Sequence, residues 1–379
     1  MNCARPTRAS VLVIVMITLL FTAFALIAFI EKATNDLLVE QRAAETRRLR
    51  MEAYSALEVT LAVLENFREV TNGLHSSAEG WTDPLGFAGY LPTEDRTIDV
   101  AFDDESGKIS LPRANAAVLS ALFKAWQLQP VDADALADAL LGWMKKNHVY
   151  TSSITPGYQQ SAIPYEEPGR PLRSFQELAA IEKAREIFYD ADGRPNDLWR
   201  RFADSVSLLD FAKTNLNGAR PDTLAALGQF DATQQQNLAD YRAGTGSYQS
   251  QGPGYFQNVA DAQRIAGATG DAAAFSTTIS ALRITLTVHD GRSQFRLSAV
   301  IAPPNGATTI TTTATSQRTA ASASSGSAAA AQNQGNSANP APAANSPNTA
   351  AASLRYPFTL LEIRENDEIP PPPSPPPAL

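Results

Sequence analysis

Residues 11–30 read VLVIVMITLLFTAFALIAFI, an apolar run without a charged side chain. An α-helix needs about 20 such residues to cross the hydrocarbon layer of a membrane. A cleaved secretory signal usually has a shorter apolar core, and no A-x-A-like site follows this run. The sequence therefore predicts a retained transmembrane helix.

The residues on either side of this run indicate its orientation and its extent. Arg5 and Arg8 precede it, and the first acidic residue, Glu31, follows it. Because Lys and Arg are enriched on the cytoplasmic side of membrane helices, we expect a cytoplasmic N-terminus and an extracytoplasmic body. No proline or glycine occurs from residue 31 to 72, so the helix is expected to continue. Its later turns carry an apolar stripe at helical spacing, formed by Tyr54, Leu57, Leu61 and Leu64.

The composition of the 379-residue chain argues against several kinds of site. Its net charge of −8 is opposite to the basic excess that is typical of nucleic-acid domains. Because Cys3 is the single cysteine, the chain cannot form an internal disulfide or a thiolate metal site. Cys3 precedes the apolar run, whereas the lipidated cysteine of a lipoprotein follows one, so the chain is not predicted to be a lipoprotein. Because His75, His148 and His289 are far apart in sequence, we interpret them as surface or hydrogen-bonded side chains.

The sequence contains no pattern that is typical of an enzyme. It has no nucleophile elbow, phosphate-binding loop or metal-ligand spacing. The adjacent acids Glu166 and Glu167 lie in a loop with proline and tyrosine, and we interpret them as a solvated turn. We therefore predict no catalytic, cofactor-binding or metal-binding residue.

The centre of the chain changes from a strand pattern to helix patterns and back. Residues 97–102 (TIDVAF) alternate polar and apolar side chains, which predicts a strand, and a turn is predicted at 103–107. Residues 115–238 have apolar side chains at helical spacing and are predicted to be predominantly helical. From residue 277, two alternating segments flank the His289-Asp290-Gly291 turn, which predicts a β-hairpin.

The C-terminal part of the chain has a different composition. Residues 303–353 consist largely of Ala, Ser, Thr, Asn, Pro and Gln, so they cannot bury enough apolar surface to fold and are predicted to be disordered. Residues 356–363 (YPFTLLEI) predict one more short strand, and the proline-rich end predicts an extended tail.

The helical stretch contains an internal repeat. GKISLPRANAAVLSAL at 107–122 and AKTNLNGARPDTLAAL at 212–227 share lysine, leucine and alanine at a constant offset, and shorter matches follow in the same order. We therefore expect two related helical units. The matching pairs are Lys108 and Lys213, Leu111 and Leu216, Ala114 and Ala219, Leu119 and Leu224, and Leu122 and Leu227.

These segments, taken in order, resemble the general secretion pathway protein K family of type II secretion minor pseudopilins. In that family a segment like DESGKINLNTA precedes the helices, a phrase like PFDSLEEL lies further on, and a segment like KLNVNTAPPEVLAAL opens the second half. The corresponding segments here are DESGKISL at 104–111, PLRSFQEL at 171–178 and KTNLNGARPDTLAAL at 213–227.

The resemblance implies an α+β pseudopilin fold, in which a long N-terminal helix packs on a small antiparallel sheet and a large all-α domain is inserted into that sheet. The implied segments are a cytoplasmic leader at 1–9, a transmembrane and assembly helix at 10–72, the first part of the sheet at 73–104, the inserted helical domain at 105–275, returning strands at 276–302 and 354–366, the disordered loop at 303–353 and the Pro-rich tail at 367–379.

The resemblance also implies a structural rather than a catalytic function, at the tip of a periplasmic pseudopilus that supports protein export across the outer membrane. The implied partners are other minor pseudopilins, the secretion machinery, the inner membrane and a prepilin peptidase, which cuts before the apolar run and methylates the new N-terminus. The cut would fall between Ala9 and Ser10, with Ala9 in place of the usual glycine. The fifth mature position would be Ile14, where major pseudopilins carry glutamate, and the missing acid fits a subunit without a neighbour above it.

Structural calcium is the cofactor that members of this family can bind, near an acidic phrase in the helical domain. The corresponding stretch here, GWMKKNH at 142–148, lacks carboxylates and contains two lysines. Since calcium prefers several oxygen ligands, we predict no cofactor and keep calcium as the alternative. Asp132, Asp134 and Asp138 are interpreted as a cluster at a helix N-terminus.

The alternative function is a membrane-anchored DNA-binding protein of the competence type. TNLNGARPDTLAAL at 214–227 and LADYRAGTGSY at 238–248 resemble the helix-hairpin-helix units of those proteins. Such units contact phosphates through the backbone amides of a glycine-rich hairpin, whereas LGQFD at 227–231 has one glycine and an aspartate. We therefore predict no nucleic-acid partner.

Overall fold

A computed structural model of the chain describes residues 7–93, 96–152, 156–160, 163–267, 272–309 and 357–366. Its first element is α1 (Thr7–Thr71), a continuous helix of 65 residues. The helix ends at Asn72 and Gly73, which both have positive φ, as is common after a helix C-terminus. The leader predicted at 1–9 overlaps this helix at residues 7–9 and stays a prediction.

A four-stranded antiparallel sheet packs on the second half of α1. Its strand order is β1 (Thr97–Asp104), β6 (Leu282–Asp290), β7 (Ser293–Ala302) and β8 (Thr359–Glu365). The hairpin between β6 and β7 turns at Gly291, whose φ of 56° lies in the left-handed region. The core between helix and sheet includes Leu49, Ala53, Ala56, Leu57 and Leu64 from α1 and Ile284, Leu286, Val288, Leu297 and Ala299 from the sheet.

The sheet differs from the sequence prediction at its first and last strands. Asp103 and Asp104 belong to β1 rather than to a turn, because they pair with Arg283 and Leu282 of β6. The last strand begins at Thr359, which leaves residues 357–358 before it, while Tyr356 lies outside the described residues.

Between β1 and β6 the chain forms a helical domain. Its helices are α3 (Ala116–Ala125), α4 (Pro130–Met144), α5 (Glu182–Phe188), α6 (Asp197–Ser205), α7 (Pro221–Gly228), α8 (Ala232–Ala243) and α9 (Val259–Ala266), while the short α2 (Pro84–Ala88) precedes β1 and packs on α1. The prediction that 115–238 is predominantly helical does not hold over much of 145–174, because four prolines, at 156, 164, 168 and 171, interrupt that stretch.

The two repeated segments occupy equivalent places in the helical domain. The first opens with β2 (Ile109–Ser110) and continues into α3, and the second opens with β4 (Thr214–Asn215) and continues into α7. Each opening strand pairs in parallel with a later one, β3 (Val206–Ser207) for the first and β5 (Phe275–Ser276) for the second. Leu119 and Leu224 are both buried, and α3 packs on α7.

The structure describes the first seven residues of the segment that was predicted to be disordered. Residues 303–309 are ordered against the helical domain, because the backbones of Thr308 and Asp210 exchange two hydrogen bonds of 2.9 and 3.0 Å and Ala307 is buried. Residues 310–356 and the tail at 367–379 lie outside the described residues, and so do the predictions made for them.

Candidate functional site

The first half of α1 presents a long apolar surface. The side chains of the large apolar residues from Leu12 to Ile30 are all roughly half exposed or more, up to 74% at Leu20. Within the described residues, this is the one helix that is long and apolar enough to cross a membrane, judged by length and composition. An exposed apolar helix of this length fits a single-pass membrane anchor.

The apolar exposure of α1 continues beyond the predicted membrane segment. Leu37, Leu38 and Val39 are exposed, and so is Met51, which lies opposite the buried stripe. We call these four residues the assembly face. Burying apolar surface of this kind against another helix is the dominant favourable contribution to most protein association.

The predicted processing site lies at the start of the same helix. Ala9 and Ser10 both have helical backbone in α1, and cleavage between them stays a prediction. Ile14, five residues into the chain that such a cut would leave, is 58% exposed and carries no charge.

A cluster of charged side chains joins the sheet to the helical domain. Lys108 Nζ lies 3.0 Å from a carboxylate oxygen of Asp103 and 3.1 Å from one of Glu105. Arg283 Nε on β6 lies 2.7 Å from Glu105. Arg220, which precedes α7, lies 3.0 Å from Asp103 and 3.3 Å from Asp204.

Three adjacent acids in this junction differ in their titration. Burial would raise the pKa of Asp103 and of Glu105, but nearby cations outweigh burial and lower both pKa values. The cations that act on Asp103 are Lys108 and Arg220. The cations that act on Glu105 are Lys108 and Arg283. No ion pair to Asp104 occurs in the part of the chain that the structure describes. Burial therefore raises the pKa of Asp104 to about 7, against hydrogen bonds from Ser106 and Asn215 that lower it.

Neutral hydrogen bonds and close packing complete the junction. Asn215 Nδ2 donates to Asp104 at 2.6 Å and to the carbonyl oxygen of His75 at 3.0 Å, so it links the second repeat to β1 and to the end of α1. A Cβ on Gly107 would lie 2.4 Å from the carbonyl oxygen of Gly218. The two repeats therefore meet backbone to backbone.

The aspartates at the start of α4 do not form the cluster that was predicted. Asp132 pairs with Lys183 and Asp134 pairs with Lys124, each at 2.8 Å. Asp138 is buried two turns further along the helix, because its carboxylate holds the next loop instead of the helix N-terminus. It accepts hydrogen bonds from Thr151 N and Ser152 N, each at 2.7 Å, and from His148 Nε2 at 2.5 Å.

No group of three or more His, Cys, Asp or Glu side chains suited to a metal ion occurs among the described residues. All three histidines lie against single carboxylates: His75 Nδ1 is 2.7 Å from Glu79, His148 Nε2 is 2.5 Å from Asp138, and His289 Nε2 is 3.3 Å from Asp99.

The hairpin between α7 and α8 bears on the DNA-binding alternative. Asp231 caps α8, since its carboxylate accepts a hydrogen bond of 2.8 Å from Gln234 N. Phe230 is buried in the core of the second unit. The helix end that a phosphate would approach is therefore already occupied by a carboxylate, which repels an anion.

Residues 102–191 match the family model of the type II secretion system (T2SS) protein K. The matched segment contains the end of β1 and most of the first helical unit. The resemblance to protein K that the sequence shows is thereby confirmed, as is the α+β fold with its long N-terminal helix and antiparallel sheet. Protein K is a component of secretion machinery and not an enzyme, as the sequence analysis predicted.

The comparison with solved structures finds a chain in "The Crystal Structure of the GspK-GspI-GspJ complex from enterotoxigenic Escherichia coli Type 2 Secretion System". The identity is 12% and the TM-score is 0.48, with 72% of the present chain and 97% of that chain covered. A search of curated proteins finds no significant match.

Several residues that hold the second helical unit together were missed by the sequence analysis. Asn217 is buried and donates to the carbonyl oxygens of Phe256 and Thr277, each at 2.9 Å, while its own oxygen accepts from Phe256 N at 2.7 Å. Asn215 and Asn217 both lie inside the TNLN phrase at 214–217. Asparagines inside an apolar repeat are a signal for buried hydrogen bonds, because unpaired amides are costly in a core.

Proposed function

We propose that this chain is a minor pseudopilin at the tip of a type II secretion pseudopilus, where it supports protein export as a structural subunit. The match of residues 102–191 to T2SS protein K carries the proposal. The shape of α1 supports it, since its first half is apolar and exposed while its second half packs on a sheet. The partners proposed are other minor pseudopilins and the secretion machinery, with the inner membrane around the first half of α1.

Co-purification tests this assignment directly. The tagged full-length chain is extracted from membranes in mild detergent together with the two other minor pseudopilins of the same secretion system. We expect a defined complex of the three chains. Recovery of the tagged chain alone, from membranes in which all three are present, would contradict the proposal.

A pair of matched variants locates the contact on α1. Leu37→Glu changes a residue of the assembly face that is 67% exposed, and Val131→Glu changes an equally apolar residue of α4 that is 73% exposed. A charge introduced into an apolar interface leaves that charge unpaired, so Leu37→Glu should reduce recovery of the partners by about tenfold or more. Val131→Glu should leave recovery unchanged, and an equal loss in both variants would place the contact elsewhere.

The proposed maturation is removal of residues 1–9 by a prepilin peptidase, followed by methylation of Ser10. Cys3 is the single cysteine of the chain and lies in this leader, so the mature chain would contain no thiol. Purified, denatured protein should therefore fail to react with a maleimide, and mass spectrometry should find a methylated N-terminal Ser10. A labelled chain that begins at Met1 would show that this leader is retained.

A further inference from the structure

We propose that a cavity on the first helical unit binds a cationic side chain, arginine or lysine, presented by a partner protein. The cavity is an open depression of the surface with a volume of about 360 Å³, and its residues lie between α4 and α5 in the chain. Its lining consists of Tyr150, Pro156, Tyr158, Gln159, Tyr165, Glu166 and Glu167. The inference does not depend on the proposed function.

Aromatic rings form much of the lining. The rings of Tyr158 and Tyr165 are 5.1 Å apart, and Trp143 of α4 packs edge-on against both, at 5.7 and 6.2 Å. Tyr158 is buried and Tyr165 donates its hydroxyl to the carbonyl oxygen of Ala180 at 2.7 Å, so both rings are held in place. Fixed aromatic faces attract cations through the ring quadrupole.

Carboxylates supply negative charge at the same place. Glu166 is exposed, and neither it nor Glu167 forms an ion pair with any residue in the described ranges. Glu167 accepts a hydrogen bond from the Tyr150 hydroxyl. Burial, followed by the charges of Glu167 and Glu182, raises the pKa of Tyr158, so this tyrosine stays neutral.

Three basic side chains that adjoin the lining in sequence have contacts elsewhere. Arg170 pairs with Glu177 at 3.1 Å, and His148 lies against Asp138. Lys145 Nζ donates to the carbonyl oxygen of Ala114 at 3.4 Å. None of these three side chains pairs with Glu166 or Glu167.

The surroundings of the cavity favour a protein as the source of that cation. Val149 and Ile163, which adjoin the lining in sequence, are 78% and 81% exposed. Exposed apolar side chains beside a charged aromatic cavity resemble the anchor-and-rim arrangement of protein interfaces, in which arginine is enriched.

Titration of small probes into the full-length chain tests the proposal. The probes are N-acetyl-arginine amide, N-acetyl-lysine amide and the neutral isostere N-acetyl-citrulline amide, followed by saturation-transfer NMR and calorimetry. The protein is kept in a maltoside detergent, because choline headgroups would compete for an aromatic site. We expect the arginine or the lysine probe to bind and the citrulline probe to bind at least about tenfold more weakly, since a charge-assisted hydrogen bond is lost.

Two variants and a control link any binding to this cavity. The double variant Glu166→Gln, Glu167→Gln should weaken binding of the cationic probe by about tenfold. Glu186→Gln, on α5 and paired with Lys183, should leave it unchanged. Circular dichroism verifies that each variant is folded. Equal binding of citrulline and arginine, no binding of either cation, or an unaffected double variant would each overturn the proposal.

Discussion

Asp104 is a half-buried carboxylate at the centre of the junction, and its titration gives a testable pH dependence. Its pKa is raised from 3.8 to about 7 in the folded chain, so between these values the folded state binds more protons than the unfolded state. Its contribution to stability is therefore fully present below pH 3.8 and is lost as the pH rises to about 7.

We expect the free energy of unfolding to fall by about 2 kcal/mol between pH 5.5 and pH 8 because of this residue. Asp104→Asn should remove most of that fall, even though the amide at position 104 lowers stability overall by presenting a donor to Asn215. Urea denaturation of the full chain in mild detergent, followed by tryptophan fluorescence at both pH values, measures the effect. The same pH dependence in both proteins would contradict it.

Asp138 is the residue whose role is least visible in the sequence. Burial opposes its charge, but hydrogen bonds from Ser152, His148 and Thr151 outweigh burial and lower its pKa. Asp138→Ala should lower the free energy of unfolding by about 3 kcal/mol, because the donors of the 148–152 loop lose their acceptor. Asp192→Ala, at an exposed turn, is the control and should cost less than about 0.5 kcal/mol. Similar costs for the two variants would refute this role.

At the scale of elements, the contact between the two repeats depends on the absence of side chains. Gly107→Ala should lower the free energy of unfolding by about 2–3 kcal/mol, since its Cβ would overlap the backbone of Gly218. Gly193→Ala is the comparison, because it has open space and only the strain of a positive φ, and it should cost about 1 kcal/mol. Thermal unfolding of the two variants side by side measures the difference, and a smaller effect at Gly107 would show that the repeats can move apart.

Elements with strong local periodicity were predictable from the sequence, and those that depend on distant partners were not. The alternation in 282–290 and the Asp-Gly turn were enough for the hairpin, since neighbouring residues determine both. The extension of β1 through Asp103 and Asp104 was missed, because Asp103 is compensated by Lys108 and Arg220, which lie in different parts of the chain.

At the scale of the whole molecule, the proposed orientation in the membrane can be measured with a single cysteine. Asp197 has a side chain that is 97% exposed on α6, far along the chain from α1. In a Cys3→Ser background, Asp197→Cys should react with a membrane-impermeant maleimide once the outer membrane is permeabilised. Reaction only after lysis of the inner membrane would place the helical domain in the cytoplasm and contradict the proposed orientation.

Some features of the candidate site could be predicted from the sequence, and others depend on the tertiary structure. The sequence by itself determined the apolar run, the continuation of α1, the hairpin and the repeat. Each of these features depends on the spacing of residues that are close together in the sequence. Only the tertiary structure decided that Asp103 and Glu105 form ion pairs while Asp104, between them, forms none with the described residues. It also decided that Asp138 holds a loop and that Glu166 and Glu167 lie beside three tyrosines. These outcomes depend on burial and on charges brought together from distant segments, and neither is encoded in local spacing.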